Sequence, residues 1–66
     1  MTKDQLDSTR THAKILIEMQ QGMNHDEFVA SVTTYAVEQF GDDPMVKRHA
    51  GRMGRYVWDS YRKPQQ

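Results

Sequence analysis

Residues 40–44 read Phe40-Gly41-Asp42-Asp43-Pro44, and they hold the stop signal of one helix and the start signal of the next. Gly41 is suited to end a helix because glycine tolerates backbone conformations that other residues avoid. Asp43 offers a capping side chain, and Pro44 fits the first helical position, where its missing N–H removes no hydrogen bond. The stretch therefore predicts one helix ending at residue 40 and another beginning at residue 44.

Two earlier boundaries carry similar signals. Thr2 and Gln5 have the spacing of a capping box, in which each side chain accepts a hydrogen bond from the backbone N–H of the other residue. Asn24 and Glu27 repeat that pattern, and Gly22 just before them can end the preceding helix. Together these signals predict an all-α fold of three helices, at about 3–21, 25–40 and 44–62, in a single domain 1–63 with a frayed tail 64–66.

The third helix is predicted to bury one face, formed by Val46, Ala50, Met53, Val57 and Tyr61 at helical spacing. Two glycines at 51 and 54 interrupt this helix, and each costs about 1 kcal/mol relative to alanine in a helix interior. A break around these glycines is the main way in which the three-helix prediction would fail.

The zero net charge of this 66-residue chain conceals two oppositely charged halves. Residues 1–43 carry three basic and eight acidic side chains, a formal charge of −5, whereas residues 44–66 carry six basic and one acidic, a charge of +5. This asymmetry indicates an electrostatic contact within the fold, between two copies, or with an anionic partner. The chain contains no cysteine, which excludes disulfides and thiolate metal sites. Its charged start at residues 1–5 does not have the pattern of a secretory signal, and we expect a cytoplasmic protein.

A chain of this length buries only about 60% of its unfolded surface, so its core needs support from elsewhere. In the first helix, Ile15 and Met19 lie nearly opposite the face formed by Leu6 and Ala13. We expect a homodimer whose interface includes Ile15, Met19 and Val37. The alternative is that loop residues partly cover this second apolar side within one chain.

Catalytic and cofactor motifs are not evident in the sequence. It has no glycine-rich phosphate loop, no cysteine nucleophile and no His-Glu-x-x-His zinc pattern, so we expect no enzyme activity, no metal and no cofactor. The longest strictly apolar run, 15–17, is far shorter than the roughly 20 residues of a membrane span. A binding function is therefore expected, without a membrane partner.

The third helix carries the residues that we expect to bind a partner. Its arginines lie away from the predicted buried face, with two aromatic residues beside them: Arg48, Arg52, Arg55 and Arg62, with Tyr56 and Trp58. Arginine, tyrosine and tryptophan are enriched at the centres of protein interfaces. The sequence therefore favours a small regulatory or accessory protein that binds a protein partner through this helix and the exposed apolar side of the first helix. The alternative is a small DNA- or RNA-binding protein whose arginines contact phosphates.

Overall fold

In the computed structural model of this chain, residues 1–19 and 22–62 are described, Arg62 by its backbone alone. They form three α-helices and no strand: α1 (Lys3–Met19), α2 (His25–Phe40) and α3 (Pro44–Arg62). The predicted all-α, three-helix fold is confirmed, as are the bounds of the second and third helices. The predicted last turn of the first helix, at 20–21, and the predicted frayed tail, at 64–66, lie outside the described residues.

Reciprocal capping boxes begin the first two helices, as predicted. The backbone N–H of Gln5 donates to Thr2 Oγ1 at 3.2 Å, and the N–H of Thr2 donates to Gln5 Oε1 at 3.0 Å. At α2, the N–H of Glu27 donates to Asn24 Oδ1 at 2.8 Å, and the N–H of Asn24 donates to Glu27 Oε1 at 3.1 Å. The capping side chains therefore give hydrogen-bond partners to backbone N–H groups at the start of both helices, where the helix itself supplies none.

The 40–44 stretch forms the turn between α2 and α3. Gly41 has a φ of 111°, which favours glycine, and its N–H donates to the carbonyl oxygen of Val37 at 2.9 Å. The side chain of Asp43 accepts a hydrogen bond from the N–H of Met45 at 2.7 Å, immediately after Pro44. This turn reverses the chain and sets α3 against α2.

The core consists of two buried clusters that lie along the length of the bundle. The first contains Ala13, Ile17, Phe28, Val32 and Val57, and the second contains Ala36, Val46 and Ala50. The start of α2 meets the end of α3 in the first cluster, and the end of α2 meets the start of α3 in the second, so these helices are antiparallel. Ile17 meets Val57 in the first cluster while Met1 packs against the second, so α1 and α3 run in the same direction.

Helix α3 is continuous through its two glycines, and the two positions differ in how much room they leave for a side chain. A Cβ on Gly54 would lie 3.3 Å from the Cα of Val29 and 3.5 Å from the Cβ of Val32. Gly51 is also buried, but its Cβ would meet nothing closer than 3.9 Å. Gly54 therefore permits a close approach of α2 and α3 that any other residue would obstruct.

Two residues occupy positions that differ from the predicted core. Tyr61 was expected on the buried face of α3, but it is 44% exposed. Helix α2 runs antiparallel to α3, and its first residue, His25, lies against Trp58. Tyr61 follows Trp58 and therefore lies past the N-terminal end of α2, where α2 has no residue to cover it. In contrast, Thr9 is fully buried, and its hydroxyl donates to the carbonyl oxygen of Gln5 at 2.8 Å, which satisfies the polar atom within α1.

Over the described part of the chain, none of the three helices combines the length and the apolar character that crossing a membrane requires.

Candidate interaction surface

Three arginines of α3 are exposed: Arg48, Arg52 and Arg55. Arg48, Arg52 and Arg55 form no ion pair with any carboxylate of the described residues. The one ion pair found there between the acidic and basic halves joins Lys47 to Asp42, at 2.9 Å across the α2–α3 turn. The guanidinium groups of Arg48, Arg52 and Arg55 are therefore accessible to an external partner.

The described arginines and aromatic residues of α3 do not form one cluster, because α3 contacts α1 on one side and α2 on the other. Tyr56 and Arg52 line a groove toward α1. Trp58 is half-buried on the other side, where its ring lies 5.7 Å from the ring of Phe28 and 5.6 Å from that of His25. Tyr56 therefore presents most of its ring to solvent, whereas Trp58 contributes mainly to the core.

Arg55 lies on the α2 side of α3, with its guanidinium 3.9 Å from the position of a Cβ on Gly51. Arg48 is exposed near the start of α3, and the side chain of Arg62 lies outside the described residues. Among the predicted partner-binding residues whose side chains the structure describes, Arg52 and Tyr56 line the groove toward α1 together.

A groove with a volume of about 380 Å³ lies between α1 and α3. Its lining is mainly apolar and comprises Leu6, Arg10, His49, Arg52, Met53 and Tyr56. Arg10 reaches it from α1 and Arg52 from α3, so two guanidinium groups flank the apolar floor formed by Leu6 and Met53. An elongated apolar group with negative charges on either side would complement this lining.

One of the two arginines at the groove has an intramolecular partner. Arg10 lies 3.5 Å from the carboxylate of Asp7, and both side chains are about half exposed. A pair at this distance on the surface contributes little, at most about 1 kcal/mol. An incoming carboxylate can therefore compete with Asp7 for Arg10.

His49 forms part of the groove wall and contacts the start of the chain. Its Nδ1 lies 3.1 Å from the amino nitrogen of Met1, whose side chain packs against the second core cluster. This contact joins His49 of α3 to the residues just before α1.

The predicted dimer residues differ in how far they are exposed. Ile15 is 52% exposed and Met19 is 73% exposed, so this side of α1 is apolar and uncovered by the described residues. Val37 is half-buried and packs against the second core cluster. Ile15 and Met19 are thus accessible to a second copy, whereas Val37 offers only part of its side chain.

A second groove lies between α1 and α2 and contains a stacked aromatic pair. The rings of His12 and Tyr35 are 3.9 Å apart and nearly parallel, and the Tyr35 hydroxyl lies 2.8 Å from Ser8 Oγ. Burial lowers the pKa of His12 because the charged imidazolium loses solvation. No cluster of three or more metal-ligating side chains was found among the described residues.

Four groove residues were not predicted from the sequence to bind a partner: Leu6, Arg10, His49 and Met53. Leu6 and Arg10 are four positions apart on α1, and His49, Met53 and Tyr56 follow at intervals of four and three on α3. Each set therefore occupies one helical face, which the sequence could have shown. Their meeting required knowledge of how α1 docks against α3.

Comparison of this chain with protein-family models, curated proteins and solved structures found no match in any of the three.

Proposed function

We propose that this chain is a small non-enzymatic accessory protein that binds a protein partner through the exposed side of α3 and the exposed apolar side of α1. The observation that carries the proposal is exposed Arg52 beside Tyr56, which is 61% exposed, with exposed Arg48 one turn earlier on the same helix. Neither arginine forms an ion pair with a carboxylate of the described residues. Exposed aromatic rings and arginines are frequent anchors in protein interfaces. We place this activity in the cytoplasm.

Site-specific photocrosslinking tests this proposal. A benzophenone amino acid introduced at position 56 keeps an aromatic group there, while the same probe at exposed Thr34 samples the α2 surface. We expect a defined crosslinked protein from position 56 in cells of the source organism, none from position 34, and a weaker product when Arg52 is replaced by Ser. Equal crosslinking from both positions, or none from position 56, would contradict the proposal.

Nucleic-acid binding is a second candidate, favoured by the same arginines. If Arg48, Arg52 and Arg55 each neutralise one phosphate of duplex DNA, the logarithm of the association constant should fall with the logarithm of salt concentration with a slope of about −2.7. A mobility-shift titration at several salt concentrations measures this slope. No retarded band at low salt would remove this candidate.

We also propose that two copies associate through Ile15, Met19 and the exposed part of Val37. The support is the apolar side of α1, which the described residues leave open, in a chain too short for a large core. Light scattering at tens of micromolar should give a mass near twice the 7.7 kDa of the chain, and Ile15→Glu should halve it. A mass near that of one chain for the unaltered protein rejects the dimer.

A further inference from the structure

We propose that the groove between α1 and α3 binds an acidic amphipathic helix of the partner, an inference that rests on the protein-binding function proposed above. A helix placed there would lie against two parallel neighbours and complete a four-helix arrangement. Its apolar side would cover Leu6 and Met53, and its acidic flanks would face Arg10 and Arg52.

The apolar part of this surface continues beyond the groove along α3. Met45 and Tyr56 are both exposed, Met45 to 51%, and they share one side of the helix with Arg52 at intervals of seven and four residues. At 1.5 Å per residue, Met45 and Tyr56 are about 16 Å apart along the axis, which matches three turns of a partner helix. A helix of this length can present three or four apolar anchors at helical spacing.

The charges that line the groove indicate that the partner helix is acidic. Arg10 and Arg52 come from different helices and stand on either side of the apolar floor, while Arg48 lies one turn before Arg52. A basic helix would be repelled from both sides, whereas an acidic helix would be attracted from both. The α1–α2 groove lacks this arrangement, because the titratable residues of its lining are His12, Tyr35 and Glu38.

Amide chemical shifts of the isotope-labelled full chain test the inference directly. The probe is a synthetic peptide of about 14 residues with Leu at helical spacing on one side and Glu on both flanks. Three control peptides replace Glu by Gln, Glu by Lys, or Leu by Ser. We expect saturable shifts at Leu6, Arg10, Met53 and Tyr56 with the Glu peptide, and at least about fivefold weaker binding of each control.

Charge reversal at the groove separates a specific site from general attraction to α3. Arg52→Glu should weaken binding of the Glu peptide about five- to tenfold and strengthen binding of the Lys peptide, since like charges across an interface disfavour association. Arg55→Glu is the matched control, because it removes the same charge from the same helix on the α2 side. Both side chains are exposed, so circular dichroism should show unchanged helix content.

Each outcome decides the inference. The absence of saturable shifts at about 2 mM peptide, equal binding of the Gln peptide, or equal effects of Arg52→Glu and Arg55→Glu would each overturn it. If the peptide fails but position 56 still crosslinks to one protein, the protein-binding function stands and only the acidic-helix partner is wrong. If a DNA duplex shifts the same amides and the peptide does not, both proposals fail.

Discussion

Replacing the two glycines of α3 by alanine should change stability in different directions. Both changes remove about 1 kcal/mol of helix-propensity cost. At Gly51 the added methyl group would lie 3.9 Å from the flexible Arg55 guanidinium and 4.0 Å from Thr33 Oγ1, which are ordinary contact distances. We therefore expect Gly51→Ala to raise the free energy of unfolding by about 1 kcal/mol.

At Gly54 the same methyl group would lie 3.3 Å from the Cα of Val29, which belongs to the backbone of α2 and cannot rotate away. Relief requires α2 and α3 to separate by a few tenths of an ångström, which loosens the contacts of Val32 and its neighbours. Overpacking of this kind costs about 1–3 kcal/mol, so Gly54→Ala should be neutral or destabilising by up to about 2 kcal/mol after the propensity gain.

Thermal and urea unfolding followed by circular dichroism measure both effects. With an unfolding entropy near 2.1 cal/mol/K per residue, 1 kcal/mol corresponds to about 7 °C in Tm for a chain of this size. Gly51→Ala should therefore raise Tm by about 7 °C, and Ala30→Gly, on the exposed side of α2, should lower it similarly and calibrate the propensity effect. If Gly54→Ala stabilises the protein as much as Gly51→Ala, the close approach of α2 and α3 is wrong.

Three further changes test other parts of the structure. Asn24→Ala removes the cap of α2 and should lower the unfolding free energy by about 1 kcal/mol, measured by urea denaturation, with no loss for exposed Thr34→Ala as the control. Burial lowers the pKa of His12 in the folded state, so the contribution of neutral His12 to stability is complete above about pH 6.5 and is lost as the pH falls through the pKa of the folded state. His12→Gln should therefore flatten the dependence of the unfolding free energy on pH between about pH 7 and 5. An unchanged pH dependence would contradict this. Trp58→Ala should cost about 3 kcal/mol or more by removing the ring that packs on Phe28, and a calorimetric Tm within a few degrees of the parent would show that the ring contributes little to the core.

The helix bounds were predictable because their signals are local. A capping side chain and its amide partner are three residues apart, so Asn24 and Glu27 determine the start of α2 without reference to the rest of the fold. The turn at Gly41 and Pro44 is similarly defined by backbone preferences of the residues within it. This is why the bounds of α2 and α3 agree with the prediction to the residue.

The burial of individual side chains was harder to predict, because it depends on how far the neighbouring helices extend. The periodicity of α3 predicts Tyr61 to be buried, but the first residue of α2 lies against Trp58, so α2 does not extend far enough to cover Tyr61. Thr9 was not predicted in the core because threonine is usually exposed, yet a bond to the Gln5 carbonyl satisfies its hydroxyl within the helix.

The glycines connect the fold to the candidate site. From sequence alone, Gly51 and Gly54 read as weaknesses in α3, whereas the structure shows α3 pressed against α2 at Gly54. Because residues 54 and 56 point to different sides of one helix, fixing Gly54 against Val29 also fixes the direction in which Tyr56 faces the groove with α1. A change that separates α2 from α3 should therefore alter binding at Tyr56 without touching any residue of the groove.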